Sequence, residues 1–375
     1  MNNIDMEDLA FFYGKLQSHP LFCIEQERLS EFETLYETIA ETADTLLLTD
    51  AMTELTAFFH DGHTNIELPY TPQDRCLELS CRWNRDRLVL AQDDEEVPGG
   101  AELLSIENRP IGEITAYMAK RIPHENIYLV RSRMLHYPYR NYHVFSEMNL
   151  RAMFGEKDRY EVCFLCDDKR FVRHYSLQNY AGSPAFSDDS SFISVEITDK
   201  TAILHLDSCL YNDTYRAVLD ALAERCEREG LQTLILDLSR NMGGSSACID
   251  EFIRHVDIDT FRRYEMIDYS QTPPQYVTRR TDIVTNKKSA VCFPKDIRCL
   301  VSHDTFSSAR TFAVTLRDNG IAKIVGTPTG GKPNSFGMPR RYKTPNHGIS
   351  FRVSTSLFLR PDMSGDDEIS LFPDI

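Results

Sequence analysis

The 375 residues include 57 acidic and 41 basic side chains, for a formal net charge of −16, and 42% of the chain is apolar. This length allows two or three domains and a sizeable core, while the charge argues against nucleic acid and anionic membranes as general partners, because both need basic patches. No apolar run approaches the roughly 18 residues of a membrane span, and residues 1–20 are too acidic and mixed for a signal peptide, so a cytoplasmic protein is expected if the recorded start is native.

Apolar residues recur at helical intervals in three N-terminal segments. These are 5–16 (Leu9, Phe12, Leu16), 26–43 (Leu29, Phe32, Leu35, Tyr36, Ile39) and 49–59 (Met52, Leu55, Phe58, Phe59). They predict a helical cap over residues 1–74. Directly after the third stands D-G-H-T, residues 61–64. His63 in this turn is either a satisfied turn residue or an imidazole suited to proton transfer near neutral pH. His60 is read as structural.

Residues 76–91 alternate on either side of Asn84-Arg85-Asp86 and predict a hairpin. The segment AELLSIENRPIGEI, 101–114, reads as strand, turn and helix. Residues 122–142 are long, aromatic and basic (Arg131, Arg133, Arg140, Tyr137, Tyr139) and read as a solvated helical insertion. A second hairpin is expected over 160–166 and 170–177, closing an α+β module at 75–180. Cys163 and Cys166 have C-x-x-C spacing, but they alternate as on a buried strand, and no second pair completes a zinc site. Reduced thiols, no metal and no cofactor are expected.

Residues 178–191, rich in Ser, Gly, Asp and Asn, read as a linker. Beyond it, from 192 to 375, the pattern becomes alternating strand and helix: 201–206, 215–226 and the apolar run LQTLILDL at 231–238, a βαβ signature. The turn Ser239-Arg240-Asn241-Met242-Gly243-Gly244 follows. Its glycine pair allows close backbone approach, and a helix at 246–256 would aim free amides beyond it. Residues 257–296 form a polar excursion whose Tyr264, Tyr269 and Tyr276 either line a groove or cover the sheet. A second strand-turn-helix-strand unit then spans 298–333, with Ser307 and Ser308 in its turn. Such a serine can project its hydroxyl above the sheet edge, with amides and the helix dipole facing a developing anion, or can simply cap the helix. Residues 336–358 read as a hairpin joined at 345–348, and the chain closes on GDDEISLFPDI.

The segments LILDLSRNMGG, TFSSARTFA and IVGTPTGGKP together resemble the tail-specific, or C-terminal processing, serine protease family, whose relatives include the tricorn core peptidase and the interphotoreceptor retinoid-binding protein. The resemblance implies an α/β chain with a crotonase-like (ββα) catalytic domain, an N-terminal helical bundle and a PDZ-like insert. It matches the nucleophile to Ser307, three residues before a position usually held by Glu and here by Arg310; Met242 likewise replaces a common glycine. In Ser-Lys members the base follows the serine at the interval that separates Ser307 from Lys332, within a T-x-G-K pattern kept as Thr329-Gly330-Gly331-Lys332. In the tricorn-like branch the base is a histidine in a D-G-H-T-like turn, matched by His63. A carboxylate near a terminal P-D orients that histidine, here Asp367 or Glu368, with Glu368 assigned.

The implied activity is serine-type hydrolysis of peptide bonds through an acyl-enzyme on Ser307, at or near C-termini of peptide or protein substrates. The amides of Gly243 or Gly244 together with Ser308 would form the oxyanion hole. Both bases stay open. His63 has an unperturbed pKa that suits neutral pH, whereas Lys332 would need strong desolvation. The resemblance favours His63, because D-G-H-T is present and T-G-G-K can survive as a structural turn in the histidine branch. A homo-oligomer is left open. The rivals are a catalytically inactive or ligand-binding member of the same fold, and a hydratase-like acyl chemistry.

Overall fold

Two units divide the chain, and neither is continuous in sequence. The first comprises residues 1–16, 30–185 and 341–352, and the second 17–29, 186–340 and 353–375. The structure, a computed structural model, describes residues 1–136, 138–180 and 192–374. Most of the expected linker and Tyr137 lie outside the described residues. The boundaries expected at 74 and 180 differ from this division, which keeps 30–180 together and exchanges 17–29 and 341–352 between the units.

In the first unit the expected helices form as Asn3–Leu16, Glu27–Glu41 and Leu48–Ala57. Leu9, Phe12, Phe32, Met52 and Leu55 are buried, and Phe12 meets Phe351 edge to face at 4.7 Å. Phe351 belongs to a three-stranded sheet ordered Asn65–Glu67, Ser350–Val353 and Arg340–Lys343. A larger sheet runs Cys81–Asn84, Arg87–Leu90, Glu102–Ile106, Arg159–Cys166 and Lys169–Ser176, with Arg109–Pro110 paired to the third strand. Both predicted hairpin turns hold residues at positive φ: Arg85 in one, Asp167 and Asp168 in the other. The helix Ile127–His136 corrects the expected solvated insertion, since Val130 and Met134 lie in the same core as Ile114, Met118 and Phe164.

The second unit is built on a five-stranded sheet whose spatial order is its chain order. β1 (Ile193–Thr198) pairs antiparallel with β2 (Thr201–Leu206). β3 (Thr233–Asp237), β4 (Asp296–Val301) and β5 (Lys323–Gly326) then add in parallel. Helix α1 (Asp213–Glu229) begins at an Asn212 cap whose side chain accepts from Tyr215 N and ends at left-handed Gly230, so both ends are closed as capping chemistry dictates. Helix α2 (Ala247–Ile253) follows the loop after β3. Helix α3 (Ser308–Asp318) follows the loop after β4 and is buried from Ser308 to Leu316, as suits a helix packed on a parallel sheet. The excursion at 257–296 is not irregular: Thr260–Arg262 pairs with Ile283–Thr285, and Glu265–Asp268 lies between Gln275–Thr278 and Ser356–Leu359 in a sheet completed by Ser335–Gly337.

Candidate active site

Two loops leave the carboxyl ends of neighbouring parallel strands, where open α/β sheets carry their sites. The loops after β3 and β4 are stitched together. Thr305 Oγ1 donates to Leu238 O at 2.8 Å, Phe306 N donates to Asn241 O at 3.1 Å, and Ser302 Oγ donates to Ser239 O. Asn241, fully buried, anchors a third loop, with Nδ2 on Leu206 O at 2.8 Å and Oδ1 accepting Gly243 N at 2.8 Å. Nothing but its place in a glycine turn marked Asn241 in the sequence.

This framework sets Ser307 at φ 53°, ψ −128°, a conformation that costs energy for a residue with a Cβ, immediately before α3. Its side chain makes no cap bond to the helix, so the strand-to-helix turn is not a simple serine cap. A Cβ added to Gly243, φ 114°, would lie 2.6 Å from Ser307 Cβ and 3.1 Å from both Ser307 Oγ and Ser308 N. Gly243 therefore borders the hydroxyl and the first amide of α3. Gly244, φ 136°, packs equally tightly on Cys209, where an added Cβ would lie 2.4 Å from the carbonyl oxygen. Because Gly243 N–H is taken by Asn241, the amides expected at the oxyanion hole that lack a partner among the described residues are those of Gly244 and Ser308. Ser308 Oγ donates to Gly244 O at 2.7 Å and lies 3.2 Å from Ser246 Oγ, so it braces the glycine turn. The Cys248 hydrogen bond and burial push the Cys209 thiol well above its ordinary range, which leaves it a packing group.

Lys332 is exposed. The loop before it is clamped to the C-terminal segment: Thr329 N donates to Leu371 O, Leu371 N to Thr329 Oγ1, both at 3.2 Å, and Ser370 Oγ to Thr329 O at 3.0 Å. Glu368 Oε2 accepts Arg317 Nη2 at 2.5 Å and Arg360 Nη1 at 2.6 Å. Arg360 also pairs with buried Asp318. Asp367 is exposed. Of the residues expected at the site, Ser307, Ser308, Gly243 and Gly244 are therefore brought together, while Glu368 is bound into an arginine cluster.

His63 belongs to the first unit. Its turn is organised by buried Asp61, whose Oδ1 accepts His63 N at 2.9 Å and whose Oδ2 accepts Thr64 Oγ1 at 2.7 Å. Arg133 Nη2 and Asn65 Nδ2 hold Gly62 O at 2.6 and 3.0 Å. The ring is 12% exposed, with Nδ1 3.6 Å from Asp61 Oδ1. One donor atom each from Asp61, His63 and Glu125 lies within 4.8 Å of the others, a set that could hold a cation. Glu125 carries no sequence signal for this placement.

Residues 200–375 match the model of Peptidase family S41. No curated protein matches. Among solved structures, mature CPAF is 15% identical, with 98% of this chain and 91% of that chain covered at a TM-score of 0.73. Mature CPAF complexed with lactacystin gives 15%, 98% and 92% with a TM-score of 0.70. The photosystem II D1 C-terminal processing protease gives 14%, 100% and 93% with a TM-score of 0.49. At such identities the CPAF likeness is one of fold.

Proposed function

From a chain whose residues 200–375 belong to Peptidase family S41, we propose a serine-type peptidase that cleaves peptide bonds through an acyl-enzyme on Ser307. The observation that carries this reading is Ser307 itself, held at positive φ at the mouth of an eleven-residue helix with Gly243 against its hydroxyl. Strain of this kind aims an oxygen outward, and neighbouring amides can receive the charge that its attack develops. Ser307 Oγ attacks the scissile carbonyl carbon, and His63 takes the proton and returns it to the leaving amine. The Gly244 and Ser308 amides stabilise the tetrahedral oxyanion, and water then releases the acyl group.

The exposure of Lys332 supports His63 as base, because an exposed ammonium lacks the desolvation that a lysine base requires. Asp61 and Glu125 are the carboxylates beside His63, and the two arginines on Glu368 support a structural role for that residue. A crotonase-like core, a PDZ-like module near 75–180, action near substrate C-termini and a cytoplasmic setting complete the proposal. The test is labelling with a fluorophosphonate probe followed by peptide mapping. The adduct is expected on Ser307 and absent from Ser307→Ala; an unlabelled chain, or an adduct elsewhere, removes the mechanism.

A further inference from the structure

Arg310 stands three residues beyond Ser307 and is only 1% exposed. Its Nη2 donates to Ser335 Oγ at 2.5 Å, and its guanidinium lies 5.6 Å from the centre of the Phe306 ring. Among the described residues, Nε and Nη1 meet no acceptor. The contrast with Arg360 is direct: that side chain is equally buried, but Asp318 and Glu368 answer its charge. An arginine cannot shed its proton to escape burial, and an ionised group in a dry interior without a counter-charge is strongly disfavoured. Among the described residues Arg310 is therefore a buried cation without an anion.

Its position says where the anion belongs. Thr311, the next residue, donates its N–H to Ser307 O at 2.9 Å, so Arg310 sits within one helical turn of the serine. Ser335 opens the strand Ser335–Gly337, and Tyr264 Oη donates to Pro333 O at 3.1 Å just before it. The guanidinium thus lies beside the segment that directly follows Lys332. We propose that Arg310 is an anion-binding residue beside Ser307 and that its ligand is a carboxylate, delivered either by the substrate peptide or as a free small acid. The peptide source rests on the peptidase reading above; the free-acid source does not.

The test has two arms, both on the full chain. In the first, Ser307→Ala and Ser307→Ala/Arg310→Met are melted across a sodium formate titration, so that no hydrolysis is required. A free carboxylate bound at Arg310 raises Tm more in the arginine-bearing protein, whereas equal shifts exclude that source. In the second, peptides with Glu near the scissile bond are compared with Gln twins. A substrate carboxylate at Arg310 gives a kcat/KM ratio of about ten or more in the wild type, collapsing towards one in Arg310→Met or Arg310→Gln. A ratio that survives both substitutions excludes that source. Wild-type chain showing neither a formate response beyond that of other sodium salts nor a Glu preference overturns the inference without recourse to any variant. A failed fluorophosphonate reaction would instead strike the peptidase reading and leave the formate arm standing.

Discussion

Replacing Gly243 with alanine is the sharpest perturbation of the proposed nucleophile. Two costs add. A Cβ at φ 114° is strained by about 1–2 kcal/mol. It would also stand 2.6 Å from Ser307 Cβ, whereas carbon atoms settle at about 3.5–4.0 Å. Ser307 Cβ is fixed by its own backbone, so no rotamer change relieves the overlap, and one of the two loops must move by about 1 Å. A displacement of that size at a reacting atom lowers turnover by about 100-fold. Fluorophosphonate labelling rate and kcat/KM are the assays, with thermal melting alongside. The control is Gly320→Ala, where φ is 67° but nothing lies within 4 Å of the added Cβ. It should lose stability through strain alone and keep its labelling rate. Gly243→Ala that labels within about three-fold of the wild type would refute the claim that this glycine sets the serine.

Ser307→Ala should lower kcat by thousands-fold, on the order seen when a nucleophile is removed, while Ser308→Ala, which loses the contacts to Gly244 O and Ser246 Oγ but keeps its amide, should cost a few-fold. Mass-spectrometric mapping of the probe adduct together with peptide turnover decides the register. His63→Ala should approach the loss of Ser307→Ala, because members of one catalytic unit do not add, and Lys332→Ala should keep most activity; the opposite pattern assigns the base to the lysine. Burial alone would push the Asp8 carboxyl up, but the backbone N–H groups of His347 and Asn346 and the His347 ring bring it down to about 2 from 3.8. Its folded pKa lies below the unfolded one, so its contribution of about 2 kcal/mol is present above about pH 4 and lost as pH falls towards 2. Melting between pH 5 and pH 2 should therefore show a steeper loss for the wild type than for Asp8→Asn.

The strand before the glycine turn was legible because LQTLILDL is a near-continuous apolar run, the helix behind Ser307 because Phe312, Val314, Leu316 and Ile321 have a mixed apolar spacing that fits a helix packed on a sheet, and the hairpins through their turn residues. The strands within 257–296 were not, since each has only three or four residues and Glu265–Asp268 finds its partner at Ser356–Leu359, far along the chain. The glycine pair and Ser307 stood in motifs. Asn241, Glu125 and the solitary charge of Arg310 acquire meaning only from neighbours that no local pattern encodes. The exchange of 17–29 and 341–352 between units escaped for the same reason, because contact partners distant in sequence define it.

That exchange bears on how the protein is made. Synthesis is vectorial, and domains commonly fold as they emerge. Here a nascent chain ending before residue 341 already carries His63 and Ser307, yet it lacks Ser350–Val353, which pairs with Asn65–Glu67 directly after the D-G-H-T turn. It also lacks Ser356–Leu359, which joins Glu265–Asp268 to Ser335–Gly337. Neither sheet can be completed on the ribosome until residues 350–359 have emerged, so the native contacts of both units are withheld from the shorter nascent chain.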